Sequence, residues 1–121
     1  MTPLTKSSLK NLLERISFAS EGEIRSLTPL TPTSIFIRFS VQDMARGYDW
    51  IDIGFRIEGV SDAKLLSDNA LKVVSMEEGI RAEIENGRCG LAIGAYEGRL
   101  NEAPLYIIGT SIGYEELPFS G

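Results

Sequence analysis

The stretch SIFIRFSVQDMARGYDWIDIGFRIE, residues 34–58, contains two runs in which apolar and polar side chains alternate, joined by a polar loop. Successive side chains of a β-strand point to opposite sides, so a period of two predicts strands with one buried and one solvent-facing side. Because the loop is too short for a helical crossover, we expect the two strands to pair antiparallel. The inward sets are Ile35, Ile37, Phe39 and Val41 in the first run, and Ile51, Ile53, Phe55 and Ile57 in the second.

Other segments also carry a strand pattern. Within Ile80–Ala95, apolar residues alternate on both sides of Asn86-Gly87, a dipeptide that tolerates the positive φ angles of a type I′ hairpin turn. Leu105–Tyr114 alternates along its whole length, and Leu71–Val74 is a short candidate strand. The two prolines in residues 29–32 cannot donate backbone hydrogen bonds, so that stretch is predicted to be a loop or an irregular edge strand.

An amphipathic helix is predicted near the N-terminus, where four aliphatic residues follow the i, i+3, i+4, i+7 spacing of one helical stripe. Ser7 or Ser8 is the expected N-cap. Gly22 is the expected end, because glycine readily adopts the left-handed conformation that terminates helices. The stripe should cover a sheet, either from outside or as the plug of a curved one. Its members are Leu9, Leu12, Leu13 and Ile16.

These patterns together predict a single α+β domain over residues 1–121. We expect a mainly antiparallel β meander of about six strands, forming a curved sheet or a sandwich, with one N-terminal helix. The tail, residues 115–121, contains Pro118 and is predicted to leave the sheet and to be mobile.

Composition narrows the functional classes. The chain has no histidine and one cysteine, so a Ser-His-Asp triad, a Cys/His zinc site and an internal disulfide are all excluded. Its net charge of −5 repels nucleic acid and anionic membrane surfaces on average. With no long apolar run and no signal-peptide pattern, we expect a cytoplasmic protein without a membrane partner.

Carboxylates are the only plentiful acid–base groups. Asp43, Asp49, Asp52 and Glu58 lie close in sequence and suggest a general acid–base pair or a divalent-cation site. On a regular strand, however, Asp52 and Glu58 stand about 20 Å apart, which is too far for paired catalysis. We interpret these carboxylates as solvated surface and Cys89 as a buried, inert thiol. No catalytic residue, metal site or cofactor is therefore predicted.

A partner-binding site is predicted in the loop between the two alternating runs. Arg46, Tyr48 and Trp50 lie together there, and arginine, tyrosine and tryptophan dominate protein–protein hot spots. The alternation turns Trp50 and Asp52 away from the predicted core, and Asp49 adds a second carboxylate. The alternative is that Trp50 packs under the helix or within a second apolar layer.

The run DIGFRIEGVSDA, residues 52–63, together with Gly79-Ile80 and the closing IGYEE, residues 112–116, resembles small uncharacterised bacterial proteins, including immunity-type proteins of toxin systems. The resemblance covers residues 50–116 and rests on the hydrophobic pattern with a few glycines and acids. It implies a cytoplasmic, non-catalytic binding domain whose acidic surface occludes a basic toxin, and it transfers no functional residue.

Three hypotheses for function follow. The first is a non-enzymatic bacterial protein-binding module with a basic protein partner, of the immunity type, using Arg46, Tyr48, Asp49, Trp50 and Asp52. The second is a small-ligand or enzyme domain with a pocket on the sheet lined by Tyr106 and Tyr114. The third is a homo-oligomer, such as a homodimer, that buries Phe36 and Trp50 between copies.

Overall fold

The computed structural model describes residues 1–121 as two antiparallel β-sheets packed around a shared core, with one main helix. The predicted α+β class is confirmed, although the sheets contain nine strands. Sheet A has the strand order β1-β9-β4-β3-β2 and sheet B the order β5-β8-β7-β6. The strands are β1 (Thr2–Pro3), β2 (Glu23–Thr31), β3 (Ser34–Asp43), β4 (Asp49–Glu58), β5 (Asp62–Lys64), β6 (Ile80–Glu85), β7 (Arg88–Ile93), β8 (Leu105–Gly109) and β9 (Ser111–Leu117), and the helices are α1 (Lys6–Arg15) and α2 (Asp68–Leu71).

Strands β3 and β4 form the centre of sheet A, with Ile37 opposite Phe55 and Phe39 opposite Ile53. All eight predicted inward side chains of these strands are buried. The rings of Phe39 and Phe55 meet edge to face with their centroids 6.0 Å apart, a favourable aromatic geometry. The face assignment read from the alternation is thus confirmed.

The second predicted hairpin is formed by β6 and β7. Its turn residues have positive φ angles, 49° at Asn86 and 74° at Gly87, as a type I′ turn requires. Ile84 lies opposite Cys89 across the hairpin, and Cys89 is buried in the core. Sheet B therefore contributes the second wall of the core.

The two sheets are connected at a corner where a pair of antiparallel strands bends together. β4 continues into β5 and β8 into β9, so the ribbon belongs to sheet A on one side of the bend and to sheet B on the other. At the corner, the Glu58 carbonyl accepts a hydrogen bond of 2.9 Å from the backbone N–H of Thr110, and the Ser61 N–H donates to the Ile108 carbonyl at 2.9 Å. A Cβ atom at Gly109 would lie 2.5 Å from the Glu58 carbonyl oxygen, so only glycine fits there.

Two predicted strands are wrong in detail. Leu105–Tyr114 is not one strand, because the chain turns at Thr110 and the alternation shifts by one residue. Tyr106 therefore lies on the outer face of sheet B, whereas Tyr114 packs against the core from sheet A. Leu71–Val74 is not a strand either, since Leu71 ends the short helix α2 and packs its side chain into the core.

Strand β2 is the irregular edge that the prolines predicted. Pro29 lies within it and pairs with Ile35, and the register shifts on both sides, between Ile24 and Ser26 and between Pro29 and Thr31. A proline is tolerated here because an edge strand has no neighbour on one side to accept a hydrogen bond.

Helix α1 begins two or three residues earlier than predicted. Its N-cap is Thr5, whose hydroxyl accepts from the Ser8 N–H while the Ser8 hydroxyl accepts from the Thr5 N–H, a capping box. The helix ends at Arg15 rather than Gly22, because Ser17–Ala19 all have positive φ angles. Its apolar stripe packs into the core beside β6, the edge strand of sheet B, so the helix closes that side of the sandwich.

Replacing Phe39 by Ala should lower the free energy of unfolding by about 3–5 kcal/mol, because it removes a fully buried ring and leaves a cavity. Val73→Ala is the control, since the Val73 side chain is 82% exposed and its truncation should cost less than about 0.5 kcal/mol. Urea unfolding monitored by circular dichroism measures both values. Equal losses in the two variants would contradict the core assignment.

Candidate partner-binding surface

The β3–β4 turn projects the predicted loop residues away from the core. Met44–Arg46 form one 3-10 turn, capped by the Asp43 carboxylate, which accepts a 3.0 Å hydrogen bond from the Ala45 N–H. Gly47 and Tyr48 both follow in the left-handed region, with φ angles of 65° and 67°. A left-handed tyrosine costs about 1–2 kcal/mol, and such local strain is concentrated at functional positions.

Arg46 is fixed by a ring of ion pairs at the end of the core. Its guanidinium lies 2.6 Å from Glu116 and 3.3 Å from Asp43. Arg15 of α1 contacts the same two carboxylates, at 2.6 Å and 3.0 Å respectively. Asp43 is almost completely buried, whereas half of the Arg46 side chain remains exposed, so the ring holds one face of Arg46 and leaves the other open.

Trp50 lies on the outer face of sheet A, as the alternation predicted, and is 40% exposed. Its ring packs against Phe119, with centroids 5.7 Å apart. Arg46, Trp50 and Phe119 line one shallow depression at the point where β9 ends beside β4. We call these three residues the anchor surface. The alternative that Trp50 packs under the helix is wrong, because the apolar stripe of α1 lies in the core on the inner side of the sheet. The alternative of a second apolar layer is met only in part, by the contact with Phe119.

The other loop residues lie at the margin of the anchor surface. Tyr48 is 55% exposed and lines a separate depression with Gln42, whose side-chain amide donates a 3.3 Å hydrogen bond to the Tyr48 carbonyl. Asp49 is exposed, pairs in register with Asp43 and forms no ion pair. The structure thus brings Arg46 and Trp50 together and leaves Tyr48 and Asp49 beside them.

The prediction that Asp52 faces solvent is wrong. Its side chain does point to the outer face of sheet A, but it is completely buried. The Ser40 hydroxyl donates to it at 2.6 Å and the Arg38 Nε at 2.6 Å, which satisfies both carboxylate oxygens. Asp52 therefore supports the fold beneath the surface and is not itself available for contact.

The residues that cover Asp52 belong to the predicted mobile tail. Residues 115–117 stay in β9, and Pro118–Gly121, the tail segment, turns back across the outer face of sheet A. The Pro118 carbonyl accepts a 3.0 Å hydrogen bond from Arg38, and the Arg25 guanidinium lies 5.8 Å from the centre of the Phe119 ring. Phe119 is not among the predicted site residues, although an aromatic residue in a polar tail is a signal that the tail is docked.

The hydrogen bonds that surround the buried Asp52 carboxylate set its pKa. Burial by itself disfavours the charged carboxylate, but hydrogen bonding to Ser120, Ser40 and Arg38 outweighs it, so the pKa of Asp52 lies below its ordinary value. Asp52 is therefore ionised and paired at neutral pH, and it ties β3, β4 and the tail segment together.

The other residues that the sequence suggested for a functional site lie outside the anchor surface. The predicted tyrosine-lined pocket does not form, because Tyr106 and Tyr114 lie on opposite faces of different sheets.

Burial raises the pKa of the Cys89 thiol, which disfavours the reactive thiolate. Phe36 is partly buried, since its ring packs over Gly54. No three carboxylate or thiol side chains converge in a way that could hold a metal ion.

Comparisons with protein-family models, with curated proteins and with solved structures found no match to this chain. Neither helix combines the length and the apolar character that are needed to cross a bilayer.

Asp52→Asn should lower the free energy of unfolding at pH 7 by about 1–3 kcal/mol, because Arg38 loses its charged partner. Since the folded-state pKa of Asp52 is lowered, its contribution is complete above the ordinary carboxyl range near pH 4 and is lost as the pH falls through the lowered value. The difference between wild type and Asp52→Asn should therefore shrink on acidification. Glu97→Gln, at an exposed carboxylate that is outside the helices and forms no ion pair, is the control. A pH-independent difference in urea melts would contradict this account.

Phe119→Ala should shift the emission of Trp50 to longer wavelength, because the indole loses its packing partner and gains water contact. Trp50 is the only tryptophan, so fluorescence reports on this site alone. Phe18→Ala removes an equally exposed phenylalanine elsewhere and should leave the spectrum unchanged. Identical spectra for wild type and Phe119→Ala would show that the tail segment does not stay docked in solution.

Proposed function

We propose that this chain is a non-enzymatic protein-binding module whose contact surface is centred on the anchor surface, with Tyr48 and Asp49 at its margin. The observation that carries the proposal is that Trp50 and Phe119, 40% and 44% exposed, contact each other beside a half-exposed arginine. Tryptophan and arginine supply a large share of the energy at protein interfaces, and aromatic pairs bury much apolar area per residue.

The rigidity of this surface supports the proposal. Arg46 is held by Asp43 and Glu116, and Trp50 is held by Phe119. Side chains that are already ordered lose little conformational entropy when a partner binds, so more of the contact energy appears as affinity. The surface lies at one end of sheet A, where Arg15 of α1 contacts the same two carboxylates as Arg46 and so helps to hold it in place.

Charge favours a basic partner. The chain carries a net charge of −5, and Asp49 is an unpaired carboxylate directly beside the anchor surface. A field of this sign accelerates encounter with a basic protein and slows encounter with acidic ones. Together with the resemblance noted above, this supports an immunity-type role, in which a bacterial cytoplasmic protein occludes a basic toxin.

Trp50→Ala and Arg46→Ala should each abolish or weaken capture of a basic partner by about tenfold or more, the loss expected from removing one interface hot spot. The measurement is affinity capture from the native bacterium, followed by titration of the captured protein. Val73→Ala removes a more exposed side chain outside the anchor surface and should bind like wild type. Retention of every captured partner by both anchor variants would exclude this surface.

The immunity-type role can be tested separately. The product of a neighbouring gene should be a basic protein that is toxic when expressed alone and is neutralised by wild type but not by Trp50→Ala. Light scattering on the purified chain should show a monomer. A dimer that dissociates in Trp50→Ala would instead assign the anchor surface to contact between copies.

A further inference from the structure

The arginines of this chain fall into two groups. Each of the five in the first half of the sequence lies within 4 Å of a carboxylate oxygen. The three in the second half, Arg81, Arg88 and Arg99, form no ion pair, although acidic residues outnumber basic ones in the chain. All three are exposed, so their guanidinium groups are solvated rather than paired within the chain.

All three unpaired arginines line the same cavity, on the outer face of sheet B, with a volume of about 470 Å³. Arg81 lies on β6, Arg88 on β7, and Arg99 on the connection between β7 and β8. We call this the arginine cavity. Its volume is within the range of about 300–1,000 Å³ that is typical of small-molecule sites.

The connection between β7 and β8 builds the cavity by folding over sheet B. Leu100 packs against the sheet at Gly90, where an added Cβ would lie 3.1 Å from the leucine side chain. Leu100 and Ile108 supply apolar lining beside the arginines. The cavity thus combines an apolar wall with cationic groups, and its wall belongs to a small apolar cluster that is separate from the main core.

The side chains that line the cavity carry a net positive charge, even when its carboxylates are included. Two carboxylates, Glu83 and Glu85, also line it. Glu85 is paired with Lys6 of α1 at 3.4 Å, which leaves Glu83 as the one unpaired acid against three arginines. Arg81 is further oriented by the Tyr96 ring, whose centre lies 5.3 Å from the guanidinium carbon, a cation–π contact.

We propose that the arginine cavity binds a small polyanion, a molecule with two or more carboxylate or phosphate groups. A guanidinium presents two parallel N–H donors that match the oxygens of either group, and three of them can engage more than one anionic group at once. This site lies on the outer face of sheet B, whereas the anchor surface belongs to sheet A, so the two functions are independent.

Isothermal titration at constant ionic strength tests the proposal, with citrate as the carboxylate probe and pyrophosphate as the phosphate probe. Wild type should bind at least one of them saturably and at one site. Arg88→Gln and Arg99→Gln should each weaken binding about tenfold, the loss expected for one charge-assisted hydrogen bond. Arg56→Gln, at an ion-paired arginine on sheet A, is the matched control and should bind like wild type.

The outcomes separate the possibilities. Binding of citrate alone or pyrophosphate alone supports the site and identifies its anion class. Binding that is equal in wild type and in both cavity variants would be a general charge effect and would overturn the proposal, as would no binding of either probe. Trp50→Ala should retain polyanion binding, so failure of the anchor surface and failure of this cavity are distinguishable. Unchanged thermal unfolding of the arginine variants, whose side chains are exposed, controls for misfolding.

Discussion

The architecture depends on the corner at which the β4–β5 and β8–β9 strands bend together. Without it the strands would continue as one long two-stranded ribbon, and the apolar faces of the two sheets would not meet. The bend keeps its backbone groups satisfied, because Thr110 and Ser61 donate to carbonyls on the opposite strand. It also requires a residue without a side chain at Gly109, where a Cβ atom would lie 2.5 Å from the Glu58 carbonyl oxygen. The shared core, and the closure of its open side by α1, follow from this one bend.

The two sheets differ in how their charged groups are paired. Sheet A carries its polar groups in pairs, with Asp52 satisfied beneath the tail segment and Arg46 held by Asp43 and Glu116. Because these polar groups are already paired, the anchor surface is the part of sheet A that we propose for contact with a partner. Sheet B is covered in part by the connection between β7 and β8, which leaves a cavity lined by three arginines that form no ion pair and by two carboxylates. Because the anchor surface and the arginine cavity lie on different sheets, the two proposed sites can act without coupling.

Asp52 illustrates how a correct local prediction can lead to a wrong conclusion about a site. The alternation correctly predicts that its side chain lies on the outer face of sheet A. The further expectation, that every side chain on this face is exposed to solvent, does not hold at this position. The tail segment, 66 or more residues later in the chain, covers that position and turns a solvated carboxylate into a buried one. The same tail segment covers Trp50 only in part. Phe119 packs against one side of the indole, and Trp50 remains 40% exposed.

The sequence by itself determined the local structure: the inward residues of β3 and β4, the type I′ turn at Asn86-Gly87 and the apolar stripe of α1. These features depend on side-chain period and on backbone preferences that act over a few residues. Only the tertiary structure decided that the run after Leu105 breaks at Thr110, that the tail segment docks on sheet A, and that three arginines line one cavity. Each of these is set by contacts between residues distant in the chain, whose spatial positions no local pattern specifies.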